Sequence, residues 1–240
     1  MSFWQGKCLF LAVVFICAAG EVWPEDVGTA AAMNLNSTQI VERIERHNQE
    51  QSKGLKQYKA LRHYQVEYEG FPASATAKME VEVAYDASSG KSFRIVSESG
   101  SKLLCNKVLK RAVDSEKEAS QDKGSTALSE TNYRFHLAGT ESVDGRPAYM
   151  LDVDPRKESK FLYRGRIWVD ATDFAVVKME TEPAKNPSFW ISRTKIHVTS
   201  ARTDSFWLPH HMRSETKVRI GGTAVLTIDY GTYQIAPKAE

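Results

Sequence analysis

Few residues in this 240-residue chain have the types and spacing for bond-making chemistry, and each has a simpler use. Asp170 and Asp173 could form a carboxylate pair, but they bracket Ala171-Thr172, where short polar side chains bond nearby backbone and start a turn. His210-His211 and His197 offer metal-ligating nitrogens. Adjacent histidines on a strand point to opposite faces, so one at most could join His197. No G-x-S-x-G motif marks a nucleophile, and Gly221-Gly222 is followed by a strand pattern, which makes it a hairpin turn and no phosphate loop. Cys105 sits in the apolar run Leu-Leu-Cys-Asn-Lys-Val-Leu and reads as a packed small hydrophobe. Arg164 and Arg166 read as a solvated sheet face. The aromatic groups Phe189-Trp190 and Phe206-Trp207-Leu208 stand at strand ends, suited to core packing or to gripping a ligand at a rim. The expectation is a protein that binds, with no catalytic residue, metal or cofactor.

The elements behind these residues are mostly strands. In Phe161 to Glu182, Tyr163, Gly165, Ile167 and Val169 alternate with Arg164, Arg166 and Trp168. After the Asp170–Asp173 turn, Ala175, Val177 and Met179 oppose Val176, Lys178 and Glu180. That period of two predicts a hairpin with one apolar face, which must be buried. Further strands are predicted over 58–69, 75–87 and from Phe93 onward, then over 133–143 and 146–153 around Asp144-Gly145, a strong hairpin signal. The last three cover 191–201, 206–220 and 223–235.

Two helices interrupt the strands. One is capped by Ser37 or Thr38, shows Ile40, Val41, Ile44 and His47 on one side, and ends at Gly54. Another runs from Leu103 to roughly Ser120, with Leu104, Val108 and Ala112 in line and Leu109 flanking, and its charged far end, over 114–129, reads as a surface loop. These elements predict a mainly β (α+β) fold: a strongly curved antiparallel sheet of about ten strands, a half-open β-barrel covered by two or more α-helices.

Composition sets the remaining bounds. Hydrophobic residues make up 42% and charged ones 26%, and 32 basic against 30 acidic side chains leave +2, no footprint for nucleic acid. Lys7 followed by the apolar run of residues 8–19 and the small Ala18, Ala19 and Gly20 reads as a cleavable signal peptide over 1–20. Neither Cys8 nor Cys17 follows a small residue, so a lipoprotein signal is not expected, and residues 21–36 read as a flexible lead-in. Cys105 is then alone in the mature chain, a single domain over 37–236 held by its core.

The order of signal peptide, amphipathic helix, three strands, central helix and long antiparallel sheet resembles the outer-membrane lipoprotein-sorting family, the LolA-like carriers. So do Gly165-Arg-Ile-Trp-Val-Asp170 with Phe174-Ala-Val-Val-Lys-Met-Glu180, and the closing run from Glu215 to Tyr230. The resemblance implies an apolar interior that accepts the acyl chains of a lipoprotein or another lipid. It implies a monomeric periplasmic shuttle between an inner-membrane exporter and an outer-membrane acceptor. The expected cavity is lined by Ile167, Val169, Val177, Met179, Val218, Ile220, Leu226 and Ile228, and lidded by Ile40, Val41, Ile44, Leu104 and Val108. The alternative reading is a non-enzymatic envelope protein of the same fold that binds a protein partner.

Overall fold

In a computed structural model, residues 35–121, 123–186, 188–219 and 221–236 are described. The proposed signal peptide, almost all of the lead-in, and Ile220 lie outside the described residues.

Helix α1 spans Ser37–Gly54. Its cap is Asn36, one residue earlier than expected. The Asn36 side chain accepts from the Gln39 backbone while Gln39 answers to the Asn36 N–H, so two orphan amides are satisfied together. Strands β1 (Gln57–Gly70), β2 (Ala75–Asp86) and β3 (Gly90–Gly100) follow. Next, α2 (Lys102–Leu104) runs through a π turn (Cys105–Leu109) into α3 (Lys110–Gln121), and α4 is Lys123–Thr126.

Helix α3 thus ends at Gln121, close to the expected Ser120, and the stretch from Asp114 to Gln121 is part of the helix, not a surface loop. Its helix is fixed by contacts remote in sequence: Val113 is buried, and Glu116 reaches β1 and β3. The π turn also shifts the buried line. Leu104, Leu109 and Val113 are buried, at spacings of five and four, while Val108 and Ala112 are only half-buried. One i→i+5 turn inserts one residue into the helical period.

The second half is β4 (Tyr133–Val143), β5 (Arg146–Pro155), β6 (Tyr163–Asp170), β7 (Val176–Pro183), β8 (Ile191–Thr203), β9 (Phe206–Val218), β10 (Gly222–Asp229) and the short β11 (Gln234–Ile235). Every pairing is antiparallel and the order is β3-β2-β1-β10-β9-β8-β7-β6-β5-β4, with β11 added to β1. The two outermost strands, β3 and β4, are consecutive in sequence, joined by the helical segment that starts at Lys102. The sheet is thus an unclosed barrel with helices across its inner face.

Local chemistry sets the turns. Asp144 and Gly145 both have positive φ (50° and 78°), as the tight turn between β4 and β5 requires. Where β1 meets β10, Gly70 faces Gly222, and a Cβ on Gly222 would stand 1.8 Å from the Glu69 carbonyl oxygen. The backbones can approach there only because both side chains are absent.

A bulge in the central hairpin corrects one expectation. Trp168 pairs with Lys178, but the next residue, Val169, pairs with Val176, leaving Val177 as an extra residue on β7. Val176 and Met179 therefore share the face of Ile167 and Val169. Val177 turns to the other face, where it packs with Ala148 and Trp168. Trp168 shares its face with Arg164 and Arg166 but, unlike them, is covered. It is 4% exposed, donates from Nε1 to Glu141 at 2.7 Å, and has the Lys178 ammonium 4.1 Å over its ring.

Candidate ligand-binding trough

Side chains directly opposite one another in antiparallel strands share a face, so the registers trace rows across the sheet. One row runs Leu137, Leu151, Ile167, Met179, Val198, Met212, Ile228, Tyr64 and Met79, through nine strands without a charged residue. Its two ends are covered. Leu151 and Ile167 pack beneath Ile40, Val41 and Ile44 of α1. Ile228, Tyr64 and Met79 pack beneath Leu104, Cys105, Leu109 and Val113. The middle of the row, Met179, Val198 and Met212, is only half-buried.

The next row toward the C-terminal ends of β1, β7 and β9 is Val153, Gly165, Thr181, Ile196, Ser214, Leu226, Val66 and Ala77. One step further lie Thr194 and Thr216, whose hydroxyls are 3.1 Å apart, and then Ala224. The strip between the two helical covers is thus apolar at depth and carries hydroxyls toward one end. Thr181 Oγ1 is buried there without a hydrogen-bond partner among the described residues, a position that costs about 1–3 kcal/mol unless something fills it.

The expected cavity residues separate against this geometry. Ile167, Val169 and Ile228 are buried in packed core, Met179 and Leu226 border the half-open strip, and Val218 is half-buried at its end. Val177 belongs to the other face. Alternation along one hairpin could not reveal Val198, Ile196 and Met212, whose place in the strip depends on pairing between strands distant in sequence.

The covering helices are firmly held. Ile40, Val41 and Ile44 are 0–1% exposed, and exposing all three would cost about 5 kcal/mol or more. Gln51 adds a two-way bond to the Trp207 backbone, donating to its carbonyl (3.0 Å) and accepting from its N–H (2.9 Å). On the other side, Glu116 of α3 accepts from buried Arg62 at 2.7 Å and from Lys91 at 2.8 Å. Burial opposes charge on Glu116, but Lys91 and Arg62 outweigh it and hold the carboxyl below its usual range. A lid opening for a few kcal/mol does not fit this anchoring. The strip is half-open with both helices in place.

The other chemistry-bearing residues sit elsewhere. A cleft of about 540 Å³ crosses β5 to β8 on a charged surface, where Arg193 pairs with Glu182 and His197 lies 3.9 Å from Glu180. His211 pairs with Asp229 at 2.6 Å. No group of three His, Cys, Asp or Glu that could hold a metal ion occurs among the described residues. Asp170 is a structural turn residue: Oδ1 accepts from the backbone N–H of Thr172 and Asp173, and both carboxylate oxygens accept from Arg146. Burial pushes its pKa up, and these bonds pull it down further. Cys105 is buried, as its apolar surroundings suggested.

An open antiparallel sheet with helices laid across its concave face is the arrangement that the sequence resemblance implied. Solved structures similar to it include an outer membrane lipoprotein-sorting protein domain from Vibrio parahaemolyticus, with 12% identity, TM-score 0.46, and 82% of this chain and 92% of that one covered. A DUF1329 family protein from Desulfovibrio piger shares 13% identity at TM-score 0.42, covering 84% and 93%. A LolA superfamily protein from Nitrosomonas europaea shares 12% at TM-score 0.40, covering 85% and 96%. No family model and no curated protein matches the sequence. No helix among the described residues is long and apolar enough to cross a membrane.

Proposed function

We propose that this protein is a non-catalytic carrier that seats an acyl chain in the strip between its two helical covers. The chain lies across Met179, Val198 and Met212, with the polar end of the lipid toward Thr194 and Thr216. The observation that carries the reading is the apolar row through nine strands, packed at both ends and half-open in the middle. A filled core would have buried those three side chains as well. Each methylene taken from water into such a strip contributes about 0.8 kcal/mol, so micromolar binding, about 8 kcal/mol net of an association cost of at least about 4, takes a chain of about fifteen methylenes.

In this reading the LolA-like fold and the signal-like N-terminus belong to an exported periplasmic protein. It takes the acyl chains of a lipoprotein or other lipid from an inner-membrane donor and delivers them to an outer-membrane acceptor.

Displacement of a fluorescent fatty acid tests the seat. Val198→Glu places a charge in the strip at a half-buried position where the fold does not depend on full packing, and a desolvated carboxylate opposes an acyl chain. The expected result is at least about tenfold weaker uptake with a melting temperature near that of the wild type. Unchanged uptake by a folded Val198→Glu protein would show that the acyl chain sits elsewhere. Ile167→Glu is a poor probe, because Ile167 is wholly buried and the charge would unfold the core.

A further inference from the structure

The two ends of the barrel differ in chemistry. At the end where β1, β5, β7 and β9 finish, the connections form one arc. The Ser101 N–H donates to the Thr76 carbonyl, Gly70 faces Gly222, the Arg219 N–H donates to the Trp190 carbonyl, and the Ala184 N–H donates to the Leu162 carbonyl. These links place residues 101–103, 71–74, 219 and 221, 184–186 and 188–190, and 156–162 side by side around a single rim.

Four large apolar side chains protrude from that rim: Phe71 is 78% exposed, Phe189 75%, Leu103 66% and Trp190 58%. Phe189 and Trp190 meet edge to face, and Arg219 donates to the Phe189 carbonyl while lying 5.0 Å over its ring. The same segments carry Lys102, Arg156, Lys157, Lys160, Lys185 and Arg219 against one acid, Glu158. At the opposite end the turns bring Asp86, Asp144, Asp170, Asp173 and Asp204. Arg146 and Arg202 from the adjoining strands pair with Asp170 and Asp173 there, and on the rim Lys160 pairs with Glu118, which leaves the rim still in basic excess.

Exposed aromatic and aliphatic side chains set among basic residues, on one rim only, match a bilayer interface with anionic headgroups: rings enter the headgroup boundary and the cations meet phosphates. We propose that this rim docks the protein on an anionic membrane surface, with Phe71, Leu103, Phe189 and Trp190 inserted to the depth of the headgroups. A protein surface or a second copy could also cover apolar residues. The excess of basic groups beside them favours a phosphate-bearing lipid surface, since a second copy would set basic rim against basic rim. The hydroxyl-bearing end of the inner strip opens toward this same rim, so docking there aligns the trough with the lipid it faces. The inference stands without cargo, because it concerns the outside of the rim.

Flotation of the purified protein with vesicles decides it. One set is phosphatidylcholine alone, and the other contains about one third phosphatidylglycerol. The wild type should float with the anionic vesicles and progressively less as salt rises. A Phe189→Ser/Trp190→Ser protein should bind about tenfold more weakly. A Lys157→Glu/Lys185→Glu protein should lose the preference for the anionic vesicles. All these positions are exposed, so melting temperature and fatty-acid displacement should stay at the wild-type values, which separates failure of docking from failure of the trough. Three results would overturn the proposal: no flotation of the wild type, equal flotation of the aromatic variant, or a concentration-dependent dimer that the aromatic substitutions abolish.

Discussion

Arg62 is the residue whose surroundings most constrain the rest. It is 1% exposed on the inner face of β1, its guanidinium lies 4.5 Å over the Tyr230 ring, and Glu116 is its ion-pair partner. Desolvation disfavours the cation, yet the Glu116 carboxylate more than compensates and Arg62 stays charged. Removing the partner strands that charge, so Glu116→Gln should cost about 3 kcal/mol at neutral pH, measured by denaturant unfolding.

The same residue sets a pH dependence. Glu116 and Asp170 have folded pKa values below their ordinary 4.5 and 3.8. An acid with a depressed folded pKa binds more protons when unfolded. Its stabilisation is complete above those ordinary values and is lost as pH falls through the lower folded ones. The wild type should therefore melt progressively earlier below about pH 4, and the gap between it and Glu116→Gln should shrink over the same range. A gap that stays constant with pH would remove Glu116 from this role. None of this was legible in the sequence, because Arg62 and Glu116 are 54 positions apart and each sits in a pattern that looks solvated. The turn role of Asp170 was legible, because its partners at Thr172 and Asp173 are local.

At the scale of elements, strand periodicity predicted nearly every strand within a few residues. It failed where one residue breaks the count. The bulge at Val177 exchanged the faces of Val176 and Val177, and the π turn at Cys105–Leu109 moved the buried line from Val108 and Ala112 to Leu109 and Val113. Both are insertions that pairing and packing impose, and a period of two or 3.6 carries no sign of them.

The helical covers differ from the expected lid in a way hydrogen exchange can read. If α1 opened routinely, its amides around Ile40 to Ile44 would exchange far faster than those of the central strands. The anchoring by three buried side chains and by Gln51 implies protection close to that of β6, with and without a fatty acid. Fast exchange confined to α1 would restore the lid.

For the whole molecule, the open sheet lets the proposed ligand seat and a stable fold coexist. Two packed clusters, one beneath each helical cover, hold the structure at the flanks, while β7, β8 and β9 between them need no filled interior of their own. The general architecture was legible from strand count, helix order and hairpin turns. Of the proposed seat, Met179 was legible but Val198 and Met212 were not, because the three come from different strands and are brought into line only by the registers of β7 with β8 and β8 with β9. The most direct measurement of the central claim is photolabelling with a fatty acid bearing a diazirine on its chain, followed by mass spectrometry of the labelled peptides. Adducts should concentrate on the inner-face residues of β7, β8 and β9, with Met179, Ile196, Val198 and Met212 foremost. Adducts on the charged cleft at Arg164 and Lys195, on the buried residues beneath α1, or spread without preference would contradict it.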